Sequence, residues 1–169
     1  MYDFNKAAAI VIKDGKLLMV KKNTEPFLAM LGGTIEKNET MIECLQREIP
    51  EEISISQFKI IDQKPFYVAH TIAGTDPTKT IEISCFQVTL LAEPVPSYDP
   101  LHPELAPLGR NITEVHWIGK NDLEIQTVEN QLRVKLKPTL YSKEGKLLIL
   151  TPITEEYIIP HLLEKRMIY

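Results

Sequence analysis

Several things are scarce in these 169 residues, and each scarcity removes a class of protein. There are two cysteines, Cys44 and Cys85, too few for a disulfide framework, which makes a reducing, cytoplasmic setting the expectation. The longest clean apolar run, Ala7 to Ile12, is far short of the roughly 20 residues that cross a bilayer. Lys6 and Lys13 bracket it too closely for a secretory signal. The net charge is −4 and the isoelectric point about 5.6, which argues against the basic face of a duplex-binding protein. The four histidines show no zinc spacing. There is no nucleophile elbow of the G-x-S-x-G type, no phosphate loop ending in Gly-Lys-Ser/Thr and no dinucleotide fingerprint. No repeat, low-complexity tract or linker interrupts the chain, so residues 1–169 read as a single domain.

The local signals that are present describe an α/β fold. Ala7 to Ile12 reads as a buried strand, and Asp14-Gly15 between apolar runs is a hairpin signal leading into Lys16–Val20. Gly32-Gly33 reads as a backbone break after Phe27–Leu31. Thr40 and Glu43 form a capping box at a helix start. Behind them Ile42, Leu45, Ile49 and Ile53 recur at helical spacing. Phe58–Ile72, Thr80–Leu91 and Ile112–Ile118 carry the β-branched and aromatic residues of strands. Residues 92–111 hold five of the twelve prolines, which excludes helix and central strand there. Leu132, Val134 and Leu136 alternate, and with Glu144-Gly145 before Leu147–Leu150 they suggest a late hairpin, against some helical propensity over 122–137. Thr151-Pro152 is a helix entry, and the helix must kink or restart at Pro160.

The chemistry concentrates between Gly33 and Ile55. This segment holds six acids and two bases, so it carries the whole net charge of the chain. On a helix, Glu48, Glu51 and Glu52 share one face beside the apolar stripe. Three carboxylates at that spacing repel one another unless a cation sits among them. Oxygen-only ligands suit a hard ion such as Mg²⁺. Arg47 stands next to them and can grip a carboxylate through paired N–H bonds. Taken alone, the three glutamates also read as a solvated acidic face.

The spacing decides between these readings. Gly33, Glu39, Arg47, Glu48, Ile49, Glu51, Glu52 and Ile55 stand where the Nudix box has its glycine, glutamate, Arg-Glu, aliphatic, Glu-Glu and closing aliphatic; Ser54 replaces the last glycine. The chain thus resembles the Nudix hydrolase superfamily (MutT-like), with a Glu-x-x-Trp strand, Glu114 and Trp117, after the box. The resemblance implies a Nudix-type α/β/α sandwich with a mixed central sheet. It also implies hydrolysis of a diphosphate bond in a nucleoside diphosphate derivative or nucleoside triphosphate, with Mg²⁺ or Mn²⁺. By position, Glu48, Glu51 and Glu52 resemble metal ligands, as does the carbonyl of Gly32. Glu39 and Arg47 resemble the pair that holds the loop to the helix. Glu48, Glu104 and Glu114 are the candidates for general base. The resemblance also admits a homodimer that completes the pocket. The alternative is a catalytically weak nucleotide-binding or regulatory domain.

Substrate contacts are read from position. Phe27 and Tyr98 are base-stacking candidates, with Tyr67 behind them and Trp117 in the core. Lys21 and Lys22 are phosphate candidates, against the plainer reading of a solvated strand end. The proline and tyrosine markers of the ADP-ribose and dinucleoside polyphosphate subtypes are missing at Thr71–Ala73, a lean toward nucleoside triphosphates. A prenyl diphosphate isomerase would need a cysteine–glutamate pair that Cys44 and Cys85 do not form. Pro50, deep in the predicted helix, removes a backbone bond and crowds the Gln46 carbonyl, and predicts a local distortion over Gln46–Pro50. Ser54 is expected to end the helix in a left-handed conformation at a cost of about 1 kcal/mol.

Overall fold

A computed structural model describes residues 2–22, 26–73, 76–98 and 112–169. The strands are β1 (Phe4–Ile10), β2 (Ile12–Lys13), β3 (Lys16–Lys22), β4 (Phe27–Ala29), β5 (Leu31–Thr34), β6 (Phe58–Ile60), β7 (Tyr67–Ala73), β8 (Asp76–Leu90), β9 (Ile112–Ile118), β10 (Leu123–Val128), β11 (Gln131–Leu136) and β12 (Ile149–Leu150). The α-helices are α1 (Met41–Ile53) and α2 (Ile159–Glu164). One mixed sheet runs β5-β1-β8-β6 with β7 also on β8, and β1 and β8 are parallel. The other runs β12-β4-β3-β2 with β9 on β3, and β12 is parallel to β4.

Alternation along the strands builds two apolar layers. In β1, Ala7 and Ala9 join Leu45, Ile49 and Ile53 of α1 in one buried cluster. Ala8 and Ile10 face the other way, into a cluster with Leu148, Leu150, Ile158, Ile159 and Leu162. The sheets are therefore covered by α1 on one side and by the C-terminal segment on the other, which is the expected α/β/α sandwich.

Several sequence expectations hold locally. Asp14 and Gly15 both adopt positive φ, at 51° and 70°, the turn that matches strand twist between β2 and β3. The capping box forms as predicted: Glu43 N–H donates to Thr40 Oγ1 at 3.2 Å and Thr40 N–H to Glu43 Oε2 at 2.8 Å. Ser54 ends α1 at φ 51°, ψ 32°, left-handed as expected.

Other expectations are corrected. Gly32-Gly33 is not a break but part of strand β5, paired to β1. Residues 58–72 split into β6 and β7, which both pair with β8. Leu132, Val134 and Leu136 lie in β11, which pairs with β10 through Glu129-Asn130, both at positive φ. The Glu144-Gly145 turn forms separately, with Leu147 bridged antiparallel to Tyr141, and Ile149–Leu150 then pair with β4 through Ile149↔Phe27. Tertiary pairing outweighs the helical propensity of 122–137. Helix α1 stays α-helical through Pro50, so of the kink or bulge by which a proline distorts a helix, the bulge over Gln46–Pro50 is absent. The distortion falls at the other proline: residues Thr154–Ile158 form a π turn and α2 restarts at Ile159 with Pro160 in its first turn. A wider turn relieves the clash between a proline ring and the carbonyl four residues back.

Candidate active site on β5 and α1

The capping box starts α1 directly after the β5 turn, so the helix lies against β5 and β1. This brings Glu48 and Glu52, one turn apart, to the glycine pair. Both are buried, at 4% and 2% exposure. Gly33 is what admits Glu48: a Cβ there would stand 2.2 Å from Glu48 Oε1 and 2.4 Å from its Cδ. Gly32 has φ 127°, and a Cβ on it would meet the Ala7 carbonyl oxygen at 2.1 Å. With that conformation the Gly32 N–H donates to Glu52 Oε2 at 2.8 Å.

Arg47 ties the loop to the helix. Its Nε donates to Glu39 Oε1 at 2.7 Å and its Nη2 to Glu39 Oε2 at 2.8 Å, a two-point grip. Its Nη1 donates to Glu48 Oε1 at 2.7 Å, and Nη2 reaches the Thr34 carbonyl at 3.3 Å. Glu39 also accepts the Glu36 N–H at 2.9 Å. The Arg47 guanidinium beside Glu39 holds its carboxyl down at about 2, and the two carboxylates push Arg47 further up. Cys44 is fully buried, with Sγ 3.7 Å from the Gly33 carbonyl, and burial raises its thiol to about 11. It is a packed residue and not a thiolate.

The donor set is all oxygen, with three carboxylates on adjacent helical turns and a glycine cradle at Gly33 that a Cβ would fill. That chemistry fits a hard divalent cation. Among the described residues no three His, Cys, Asp or Glu side chains already converge as a cage.

The structure separates the other candidates. Tyr98 lies near the end of α1: its N–H donates to the Ile112 carbonyl at 3.1 Å, and the preceding Ser97 N–H to the Glu52 carbonyl at 3.2 Å. Phe27 is half-buried on β4 beside Ile149 of β12. Trp117 packs against the α1-side core, as expected. Tyr67 stacks on His161, ring centres 4.0 Å apart, rather than standing open. Lys21 is not a solvated strand end: it is fully buried on the face opposite α1, with Glu114 as its register partner. Glu114 shares that face and does not join Glu48 and Glu52. Glu104 lies outside the described residues. Two contacts had no sequence signal. The Thr34 carbonyl accepts from Arg47 through backbone position alone. Glu144 meets Lys21 only because the fold brings them together from distant parts of the chain.

The NUDIX domain family model matches residues 3–138. No curated protein matches the chain in sequence. Among solved structures, a MutT NUDIX hydrolase from Burkholderia pseudomallei superposes with a TM-score of 0.54 at 16% identity, covering 75% of this chain and 90% of that one. UDP-X diphosphatase gives 0.52 at 19%, covering 68% of this chain and 50% of its own, so the match spans half of that protein. The dihydroneopterin triphosphate pyrophosphohydrolase of E. coli gives 0.51 at 15%, covering 68% and 79%. At these identities the superpositions show a shared fold. The family model covers well over half of the sequence and takes in the whole glycine–arginine–glutamate site, and the chain therefore belongs to the NUDIX family.

Proposed function

We propose that this protein is a metal-dependent pyrophosphohydrolase that cleaves a phosphoric anhydride bond in a nucleoside diphosphate derivative or nucleoside triphosphate. The observation that carries this is the site itself: Glu48 in the Gly33 cradle, fixed by Arg47, with Glu52 on the Gly32 amide. The structural relatives named as a diphosphatase and a triphosphate pyrophosphohydrolase support the reaction class.

In this reading Glu48, Glu51 and Glu52, with the Gly32 carbonyl, hold Mg²⁺, for which Mn²⁺ substitutes. Bound there, the ion neutralises phosphate charge and acidifies water. The chain's own groups do the positioning. Glu39 fixes Arg47, Arg47 fixes Glu48, and the Gly32 N–H fixes Glu52, so the carboxylates are oriented before substrate arrives. Glu48 receives the proton of the attacking water at a carboxylate oxygen. What supports Glu48 over Glu114 is placement, because Glu114 faces away from α1 and is engaged by the Lys143 N–H and His116.

Residues 1–169 act as one domain in this proposal. Support comes from Leu148, Leu150, Ile158 and Leu162, which lie beyond the family match but share a core with Ile10 and Leu17. No helix among the described residues is long and apolar enough to cross a membrane. The free, buried Cys44 and Cys85 suit the cytoplasm.

Pro50 is the feature of the sequence that favours the regulatory-domain alternative, and α1 runs through it. The test is phosphate release from a panel of nucleotides with Mg²⁺, for wild type and Glu52→Gln. Turnover that disappears with a chelator and falls at least about 100-fold in Glu52→Gln is expected. Nucleotide binding without metal-dependent turnover on any member would overturn the proposal in favour of a binding module.

A further inference from the structure

A second polar cluster lies on the face of β3 and β9 away from α1. Lys21 is 0% exposed, and its Nζ stands 3.0 Å from Glu144 Oε2 and 3.8 Å from Glu114 Oε1. Glu114, itself buried, accepts the Lys143 N–H at 3.0 Å and lies 2.9 Å from His116 Nε2. Glu144 is different: its side chain is 44% exposed, on a turn that satisfies its own backbone. The Ser142 N–H donates to the Lys146 carbonyl at 2.8 Å and the Gly145 N–H to the Ser142 carbonyl at 2.9 Å. The Lys146 N–H donates to Ser142 Oγ at 3.1 Å. At the base, the Leu148 N–H donates to the Leu140 carbonyl at 2.9 Å.

A turn closed on its own hydrogen bonds moves as one piece. Among the described residues, its polar ties to the sheet are two, and both end on the same buried pair: the Lys143 amide on Glu114 and the Glu144 carboxylate on Lys21. An ammonium this deeply buried is costly to strip of a close anion. When Glu144 leaves, Lys21 keeps the Glu114 carboxylate at 3.8 Å but loses its closer anion, and a second anion in that place restores the contact. A phosphoryl oxygen, like a carboxylate, is a charged acceptor for a lysine.

We propose that Lys21 is an anion seat gated by the Ser142–Lys146 turn: Glu144 fills it at rest, and a phosphoryl group displaces Glu144 and swings the turn outward. The phosphoryl identity rests on the hydrolase reading above; the seat and the gate rest on the buried pair alone.

The test uses the full chain without divalent metal, where no hydrolysis competes. Inorganic pyrophosphate and inorganic phosphate are added separately, with single-amide hydrogen exchange followed by NMR and affinity by calorimetry. On binding, the Lys143 amide loses protection about tenfold or more, while the Ser142, Gly145 and Lys146 amides keep theirs. Glu144→Gln, which removes the competing charge, binds the preferred anion about tenfold more tightly, and Lys21→Met loses the binding. If Lys21→Met does not fold, Glu144→Gln and Glu144→Ala carry the test. A preference for pyrophosphate marks an anhydride ligand, and a preference for phosphate a free phosphate. Unchanged Lys143 protection in bound protein, unchanged affinity in Glu144→Gln, or no binding of either anion to wild type and Glu144→Gln would overturn the gate. None of these readouts depends on turnover, so this proposal and the hydrolase reading fail separately.

Discussion

Replacing Gly33 with alanine exchanges one hydrogen for a methyl group, yet it is the most informative change available at the site. The new Cβ stands 2.2 Å from Glu48 Oε1, 2.4 Å from Cδ and 2.7 Å from Oε2, whereas ordinary contact begins at 3.4 Å. The carboxylate must retreat by about 1 Å, and a misplacement of that size costs about 100-fold in rate when the group positions the reaction. The retreat also strains the 2.7 Å bond from Arg47 Nη1. A hydrogen bond between charged groups contributes about 1.5–3 kcal/mol, which bounds the stability loss. A thermal midpoint falls about 2–4 °C per kcal/mol in a chain of this size, so a drop of roughly 3–12 °C follows. Gly32→Ala is the control. Its Cβ meets the Ala7 backbone oxygen at 2.1 Å, with φ at 127°, and no side chain can yield. That variant loses about 3 kcal/mol or more through strain and broken β1–β5 pairing, and it fails in folding before it fails in catalysis. The assay is nucleotide hydrolysis with Mg²⁺ beside thermal unfolding by circular dichroism. A Gly33→Ala protein with wild-type kcat would refute the cradle argument, and a Gly32→Ala protein of wild-type stability would refute the account of the glycine pair.

Three further expectations follow from the same helix. Ser54→Gly relieves a left-handed residue and raises stability by about 0.5–1 kcal/mol after the entropy of glycine in the unfolded chain is deducted, read as a rise in urea midpoint; a fall would show that Ser54 contributes something else. Pro50→Ala restores the amide bond to Gln46 in an unbroken α1. The gain of about 3 kcal/mol, less up to about 1 for a freer unfolded chain, leaves about 2 kcal/mol of added stability, and a neutral result would mean the proline is already accommodated. Glu39 is depressed from its usual 4.5 to about 2 when folded. Its contribution is therefore complete above pH 4.5 and is lost as pH falls from there to about 2. The stability gap between wild type and Glu39→Gln should be widest at pH 5 and above and narrow toward pH 2. A gap that is constant with pH would show that the ion pair does not titrate with folding.

The parts of this protein that the sequence by itself determined are those settled within a few residues. The Thr40–Glu43 capping box, the positive-φ turn at Asp14-Gly15 and the left-handed Ser54 formed as read, and the pitch of α1 puts Arg47, Glu48 and Glu52 on adjacent turns. Each rests on local backbone geometry or on the fixed pitch of one helix. The tertiary structure decided what depends on partners far along the chain. Gly32-Gly33 became a paired strand because β1 lies beside it, and 123–136 became a hairpin because strand pairing outweighed helical propensity. Pro50 left α1 intact while the wider turn formed before Pro160. Lys21 follows the same rule. Its sequence neighbours suggest an exposed basic strand end, but a turn more than a hundred residues later closes over it and supplies the anion. Spacing along a chain specifies which residues share a helix face, but burial and charge pairing are set by what the rest of the chain folds against that face.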